Sequence, residues 1–151
     1  MLNENTKGDS ANLDLSPAEM LAMGNAVVAR AVAHLAAIPE APSSGDYTDI
    51  EALCRSLREA APEQGTPLEA LLDPLFDEWI PRSFTTPAGG YLAYIPGGGV
   101  YPAALADFIA DTTNRFTGIW QAAPALVQLE ANALDWLREW MQFPTTTRGL
   151  F

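Results

Sequence analysis

The stretch Gly90-Tyr91-Leu92-Ala93-Tyr94-Ile95-Pro96-Gly97-Gly98-Gly99-Val100-Tyr101-Pro102-Ala103-Ala104-Leu105-Ala106-Asp107-Phe108 divides this chain. It follows Thr85-Thr86-Pro87, which cannot continue a helix. Tyr91 to Ile95 is aromatic and β-branched, a composition that favours an extended segment. Pro96 and three glycines then form a second irregular piece. Pro102 restarts helix, since proline suits the first helical turn, and Leu105, Phe108, Ile109, Thr112 and Phe116 share one face.

Working outward, helices lie on both sides. Ser16-Pro17-Ala18-Glu19 carries a hydroxyl N-cap, a proline at the first position and a glutamate at the third. Met20, Met23, Val27, Ala31, Leu35 and Ile38 follow as an apolar stripe. Thr48-Asp49-Ile50-Glu51 opens a second helix with Ile50, Leu53, Cys54, Leu57 and Ala61 in line. Thr66-Pro67-Leu68-Glu69 opens a third with Leu68, Leu71, Leu72, Leu75 and Trp79. Pro74 sits inside that third helix and is expected to kink or divide it, because it removes a donor and crowds the preceding turn. After a turn through Gly118, Pro124 opens a fifth helix to about Phe143, with Leu126, Leu129, Ala133, Leu137 and Trp140 as its apolar face. The expected fold is mostly α: about five helices around an irregular Gly/Pro-rich middle.

The composition restricts function further. The chain has 151 residues, 48% of them hydrophobic, and a net charge of −11. A globular chain of this size can bury ~70% of its unfolded surface. The acidic surface disfavours nucleic acid and anionic membranes as partners. No apolar run is read as approaching the ~20 residues of a membrane span. The start, Met1-Leu2-Asn3-Glu4-Asn5, lacks the features of a signal peptide. Cys54 is the only cysteine, so no internal disulfide forms, and a cytoplasmic location is expected. Residues 1–14 read as a flexible tail.

Catalytic groups are few. His34, the single histidine, has no Asp, Ser or Cys arranged around it and reads as structural. Nothing supports a metal site. Cys54 reads as a small inert hydrophobe on the inner face of its helix. The glycines at 97–99 match neither phosphate-loop pattern, so a tight turn or a close backbone approach is the preferred reading. Glu130 lies among leucines and should find Arg138 or a backbone amide. Lys7 is the only lysine and sits in the polar tail.

Residues 90–144 resemble the signature region of the group II pyridoxal-dependent decarboxylases, which include the aromatic-L-amino-acid, tyrosine and histidine decarboxylases. The resemblance runs through Tyr101-Pro102-Ala103-Ala104-Leu105-Ala106-Asp107, Asn114-Arg115-Phe116-Thr117-Gly118-Ile119-Trp120, Val127-Gln128-Leu129-Glu130 and Asp135-Trp136-Leu137. Residues 16–84 match only as a run of helices. The resemblance implies the N-terminal segment of a fold-type-I pyridoxal-phosphate enzyme, an obligate homodimer acting on amino acids. Residues 15–84 would be its helical dimerisation segment and 85–151 the start of its large domain. Tyr94, Ile95, Pro96 and Gly97 would contribute to a substrate pocket. Phe116 and Gly118 would lie on a turn reaching toward the partner's site, with Trp120 packed nearby. Relatives often carry a His-Pro pair where Ala88-Gly89 stands here, so substrate preference does not transfer.

The family's phosphate loop, ring-stacking histidine, pyridine-pairing aspartate and cofactor lysine would follow Phe151. The expectation is therefore a chain without catalytic or cofactor-binding residues of its own, inactive unless completed by a complementary chain carrying the pyridoxal-phosphate domain. The alternative is a non-catalytic helical module that kept the dimerisation surface.

Overall fold

The computed structural model describes residues 14–151, and the chain divides into two compact units after Gly98. The expectation for the first residues of the tail falls on positions 1–13, outside the described residues. The fold is mostly α, with five α-helices and no β-strand among the described residues.

In the first unit, helix α1 spans Pro17–Ala37. Its start is the capping box read from the sequence. The Glu19 amide donates to the Ser16 hydroxyl at 3.3 Å, and the Ser16 amide donates to the Glu19 carboxylate at 2.7 Å. The hydrogen bonds with Ser16, side chain first and backbone second, hold the Glu19 carboxyl below the ordinary 4.5. The two later start signals do not act this way. α2 (Ile50–Ser56) begins after Asp49 in the left-handed region, at φ 53°, with no side-chain cap. α3 (Leu68–Pro74) is preceded by Pro67, not capped by Thr66. α2 also stops far short of Ala61, and Cys54 is exposed on it rather than buried.

Pro74 does change the helix, but not as a break. Leu75–Trp79 continues as one π-type turn, in which the Ile80 amide reaches back five residues to the Leu75 carbonyl. Proline leaves an unused carbonyl one turn earlier, and widening the turn by one residue relieves the crowding. A 3₁₀ turn, Ile80–Arg82, follows.

Met23, Ala31 and Ile38 of the apolar stripe are half-buried, and the face that α1 turns toward α3 carries polar groups as well. It centres on Arg30 and His34. The Arg30 guanidinium lies 2.8 Å from Asp77 and 3.6 Å from Asp73, donates to the Leu72 carbonyl at 3.4 Å, and sits 5.4 Å from the Phe76 ring centre. His34 meets the same ring edge-on at 6.0 Å. Met20, Val27 and Leu35, assigned inward by periodicity, are exposed. Pro17–Glu40 is also long and apolar enough, by length and composition, to cross a membrane, which corrects the expectation that no such run exists. Alanines and valines around a single arginine raise its mean hydropathy to 1.5.

Residues 43–48 lie along 80–85. The Asp46 amide donates to the Pro81 carbonyl at 3.3 Å and the Thr85 amide to the Ser43 carbonyl at 3.2 Å. Arg82 donates to the Thr48 carbonyl at 2.6 Å and the Asp46 carbonyl at 3.2 Å. Gly45 makes this approach fit: a Cβ there would lie 2.6 Å from the Arg82 carbonyl carbon. Phe84 packs between Tyr47 and Tyr91, at 6.1 and 6.0 Å. Asp46 accepts from the Thr48 amide at 2.9 Å, which lowers its pKa, Arg82 adding a smaller pull.

The second unit contains α4 (Tyr101–Thr113) and α5 (Pro124–Trp140). Asn114 ends α4 in the left-handed region at φ 44°, so Phe116 lies beyond the helix rather than on its face. Asparagine tolerates that backbone well. α5 ends at Trp140, short of Phe143, in a Schellman motif. The Phe143 amide reaches the Arg138 carbonyl and the Gln142 amide the Glu139 carbonyl, both at 3.0 Å, with Gln142 at φ 56°. Glu130 accepts from the Phe151 amide at 3.1 Å, the backbone partner expected for it, whereas Arg138 pairs with Asp135.

Little is buried. Among the described residues only Leu72, Ala88 and Ala123 are buried. The reason is visible residue by residue: Leu129, Phe108 and Ile109, all assigned to core faces, are 64%, 62% and 61% exposed.

Candidate functional site

The six residues expected at a substrate pocket form two local groups. Tyr94, Ile95, Pro96 and Gly97 belong to the first unit, and Phe116 and Gly118 to the second.

The first group is not extended, contrary to its β propensity. Tyr94 and Ile95 are both left-handed, at φ 58° and 46°. No strand forms among the described residues, so no neighbouring strand holds this segment extended. A β-branched residue at positive φ is an outlier that costs on the order of 1–3 kcal/mol. Tyr94 and Ile95 are nonetheless 91% and 96% exposed. The strained backbone thus presents two large apolar side chains outward. Gly97, Gly98 and Gly99 lack positive φ, and a Cβ on any of them would meet nothing within 4 Å. The reading of this run as a close backbone approach is corrected: the space around it is open.

The second group is tighter. Beyond the Asn114 cap the chain turns so that the Phe116 ring covers Gly118. A Cβ at position 118 would lie 2.7 Å from Cζ and 2.8 Å from Cε2 of that ring. Trp120 begins a 3₁₀ turn through Ala122 and is exposed.

Two half-open cavities lie elsewhere. One, of about 350 Å³, is lined by Arg30, His34, Ile38, Phe76, Asp77 and Ile80. The other, of about 360 Å³, lies beneath the C-terminal strap and is lined by Leu134, Leu137, Met141, Phe143 and Gly149. Neither contains any of the six residues. Sequence reading missed the Arg30 cluster because an arginine inside an apolar helix looks like an interruption of the stripe. Its spacing from His34, one turn on, was the available signal.

The comparisons with known proteins can be set against this geometry. The pyridoxal-dependent decarboxylase conserved domain matches residues 51–150. The chain belongs to that family. It is 31% identical over 142 residues to an aromatic-L-amino-acid decarboxylase of Bacillus atrophaeus, a match covering 94% of the chain and 29% of the relative. It is 29% identical over 90 residues to tryptophan decarboxylase 1 of Oryza sativa subsp. japonica, covering 60% of the chain and 18% of that protein. It is 30% identical over 84 residues to the aromatic-L-amino-acid decarboxylase of Bos taurus, covering 56% and 17%. The chain thus spans under a third of the length of these relatives and corresponds to the N-terminal portion of the group II enzymes.

The family depends on pyridoxal phosphate, which is held through a lysine in a packed site. The described residues do not fit that group. They contain no lysine, Lys7 being the only one in the sequence. His34, the sole imidazole, is packed against Phe76 beside the Arg30–Asp77 pair.

Proposed function

We propose that this chain forms the N-terminal part of a pyridoxal-phosphate-dependent decarboxylase of aromatic L-amino acids, a carboxy-lyase. In that role it supplies dimer interface and substrate-pocket wall, not the catalytic groups. The observation that carries this reading is the match over 94% of the chain to 29% of an aromatic-L-amino-acid decarboxylase. The many exposed large apolar side chains support it, Phe108, Ile109, Leu129 and Trp140 among them, because extensive apolar surface is seldom left uncovered. Tyr94, Ile95, Pro96, Gly97, Phe116 and Gly118 are the proposed wall. The large domain of a second or longer chain would hold pyridoxal phosphate, which would supply the electron sink for decarboxylation. This chain's contribution is to bind and orient the aromatic side chain and to exclude water.

The same reading assigns α1 to protein contact in the cytoplasm, as one helix of a homodimer or of a complex with a complementary chain, and not to a bilayer. Arg30 is already engaged by Asp77 and Asp73, and an arginine at the centre of a span is costly.

The test is to express the chain with and without a chain carrying the pyridoxal-phosphate domain. Carbon dioxide release from aromatic L-amino acids is then measured. Activity is expected only for the pair. Alone, the chain is expected to develop no stoichiometric absorbance near ~420 nm with pyridoxal phosphate, for want of a packed lysine, and to self-associate. Turnover by the chain alone, or none by the pair with any aromatic substrate, overturns the proposal. Stable association with an intact relative and no effect on turnover would instead identify a non-catalytic dimerisation module.

A further inference from the structure

We propose that Gly118 is a positioning residue whose absent side chain sets the direction of the Phe116 ring, making position 118 a determinant of pocket shape. The inference rests on the assignment of Phe116 to the pocket wall. Glycine is usually required by a left-handed backbone or by another backbone passing close. Neither applies at Gly118. Its φ is not positive, and the nearest atoms to a Cβ built there all belong to one side chain, the Phe116 ring, at 2.7, 2.8 and 3.5 Å.

Contact at 2.7 Å is not tolerated, so a side chain at 118 must displace something. What yields is the far end of an exposed phenylalanine, since Phe116 is 66% exposed and lies past the end of α4. Rotating such a ring between staggered positions disturbs little else. Substitution at 118 therefore re-aims Phe116 at small cost to the fold. Gly45 gives the contrast: there the nearest atoms are backbone, which cannot turn aside. A wall residue that swings without unfolding its loop alters which aromatic side chain fits beside it.

The experiment uses the active assembly containing this chain, with ring-labelled phenylalanine, comparing wild type, Gly118→Ala and Phe116→Leu. Contacts between the Phe116 ring protons and the Gly118 α-protons are expected in the wild type. Gly118→Ala should abolish the ring packing over position 118 while leaving the helical circular dichroism unchanged. The ratio of kcat/KM between a one-ring and a two-ring aromatic amino acid should shift by about tenfold, the scale set by a small change in apolar pocket fit. Phe116→Leu should shift the same ratio and make a further Gly118→Ala change silent. Absence of the ring contact in the wild type, or its persistence in Gly118→Ala, overturns the proposal. Loss of the contact with an unchanged substrate ratio leaves the seat standing and removes Phe116 from the pocket wall.

Discussion

Arginines in the two units work over different distances. Arg30 reaches 42 residues along the sequence to the Leu72 carbonyl, and Arg82 reaches 34 to that of Thr48. In the second unit, Arg138 pairs with Asp135 and Arg148 with the Thr145 carbonyl, each three residues away. The contact from Glu130 to the Phe151 amide is the longer-range exception. Up to Gly98, then, polar side chains tie remote segments together although little apolar surface is enclosed. Beyond it, helices are well terminated but their broad faces meet nothing equivalent. Local order and tertiary order are separately encoded: caps and Schellman turns secure the first, and only long-range contacts supply the second.

The contrast can be broken first at Gly45. Gly45→Ala drives a Cβ against the Arg82 carbonyl and should cost about 2–3 kcal/mol as overpacking. Denaturant unfolding followed at Trp79 would register the loss, whereas probes at Trp136 should be unmoved. Arg30→Met comes next. Removing a charged donor from Asp77 and the Leu72 carbonyl should cost about 2 kcal/mol and loosen α1 from α3. Hydrogen exchange in α1 and α3 would report it, and equal protection in both proteins would refute the role of the guanidinium.

Local devices should have smaller effects. Ser16→Ala should cost about 1 kcal/mol through loss of the cap. Because Glu19 titrates below its ordinary value when folded, its contribution is present above pH 4.5 and fades as pH falls through the lowered pKa. The pH dependence of α1 helicity in that acid window should flatten in the variant. The smallest effect is a gain: Gln142→Gly, at φ 56°, should stabilise the end of α5 by about 0.5–1 kcal/mol. A thermal midpoint that does not rise would show that another interaction holds Gln142 left-handed.

Helix number, the Ser16 capping box and the backbone partner of Glu130 were legible because each depends on neighbours in sequence or on a carboxylate's need for a donor. The direction of the apolar faces was legible only in part, Leu72 being buried as its stripe implies. Met20, Leu129 and Trp140 satisfy helical periodicity, yet periodicity says which residues share a side and not whether anything covers it. Tyr94 and Ile95 carried β propensity, which means nothing without an adjacent strand. The contact of Gly45 with Arg82 lies 37 positions away, beyond any local pattern. Of the six candidate site residues, the sequence placed Phe116 and Gly118 on one turn, but their mutual packing appears only in three dimensions.

The π-type turn at Leu75–Trp79 makes the Arg30 cluster a matter of phase. Each α-helical residue advances about 100° around the axis. One residue accommodated without advancing the helix resets the orientation of everything after it. Closing this turn to ordinary α-helical pitch with every residue kept would carry the following residues around by about that angle. Asp77 would leave Arg30 even though every side chain involved was retained. The ion pair is thus conditional on the widened turn, so replacing Pro74 with a residue that favours regular α-helix should loosen it although no charged group is touched.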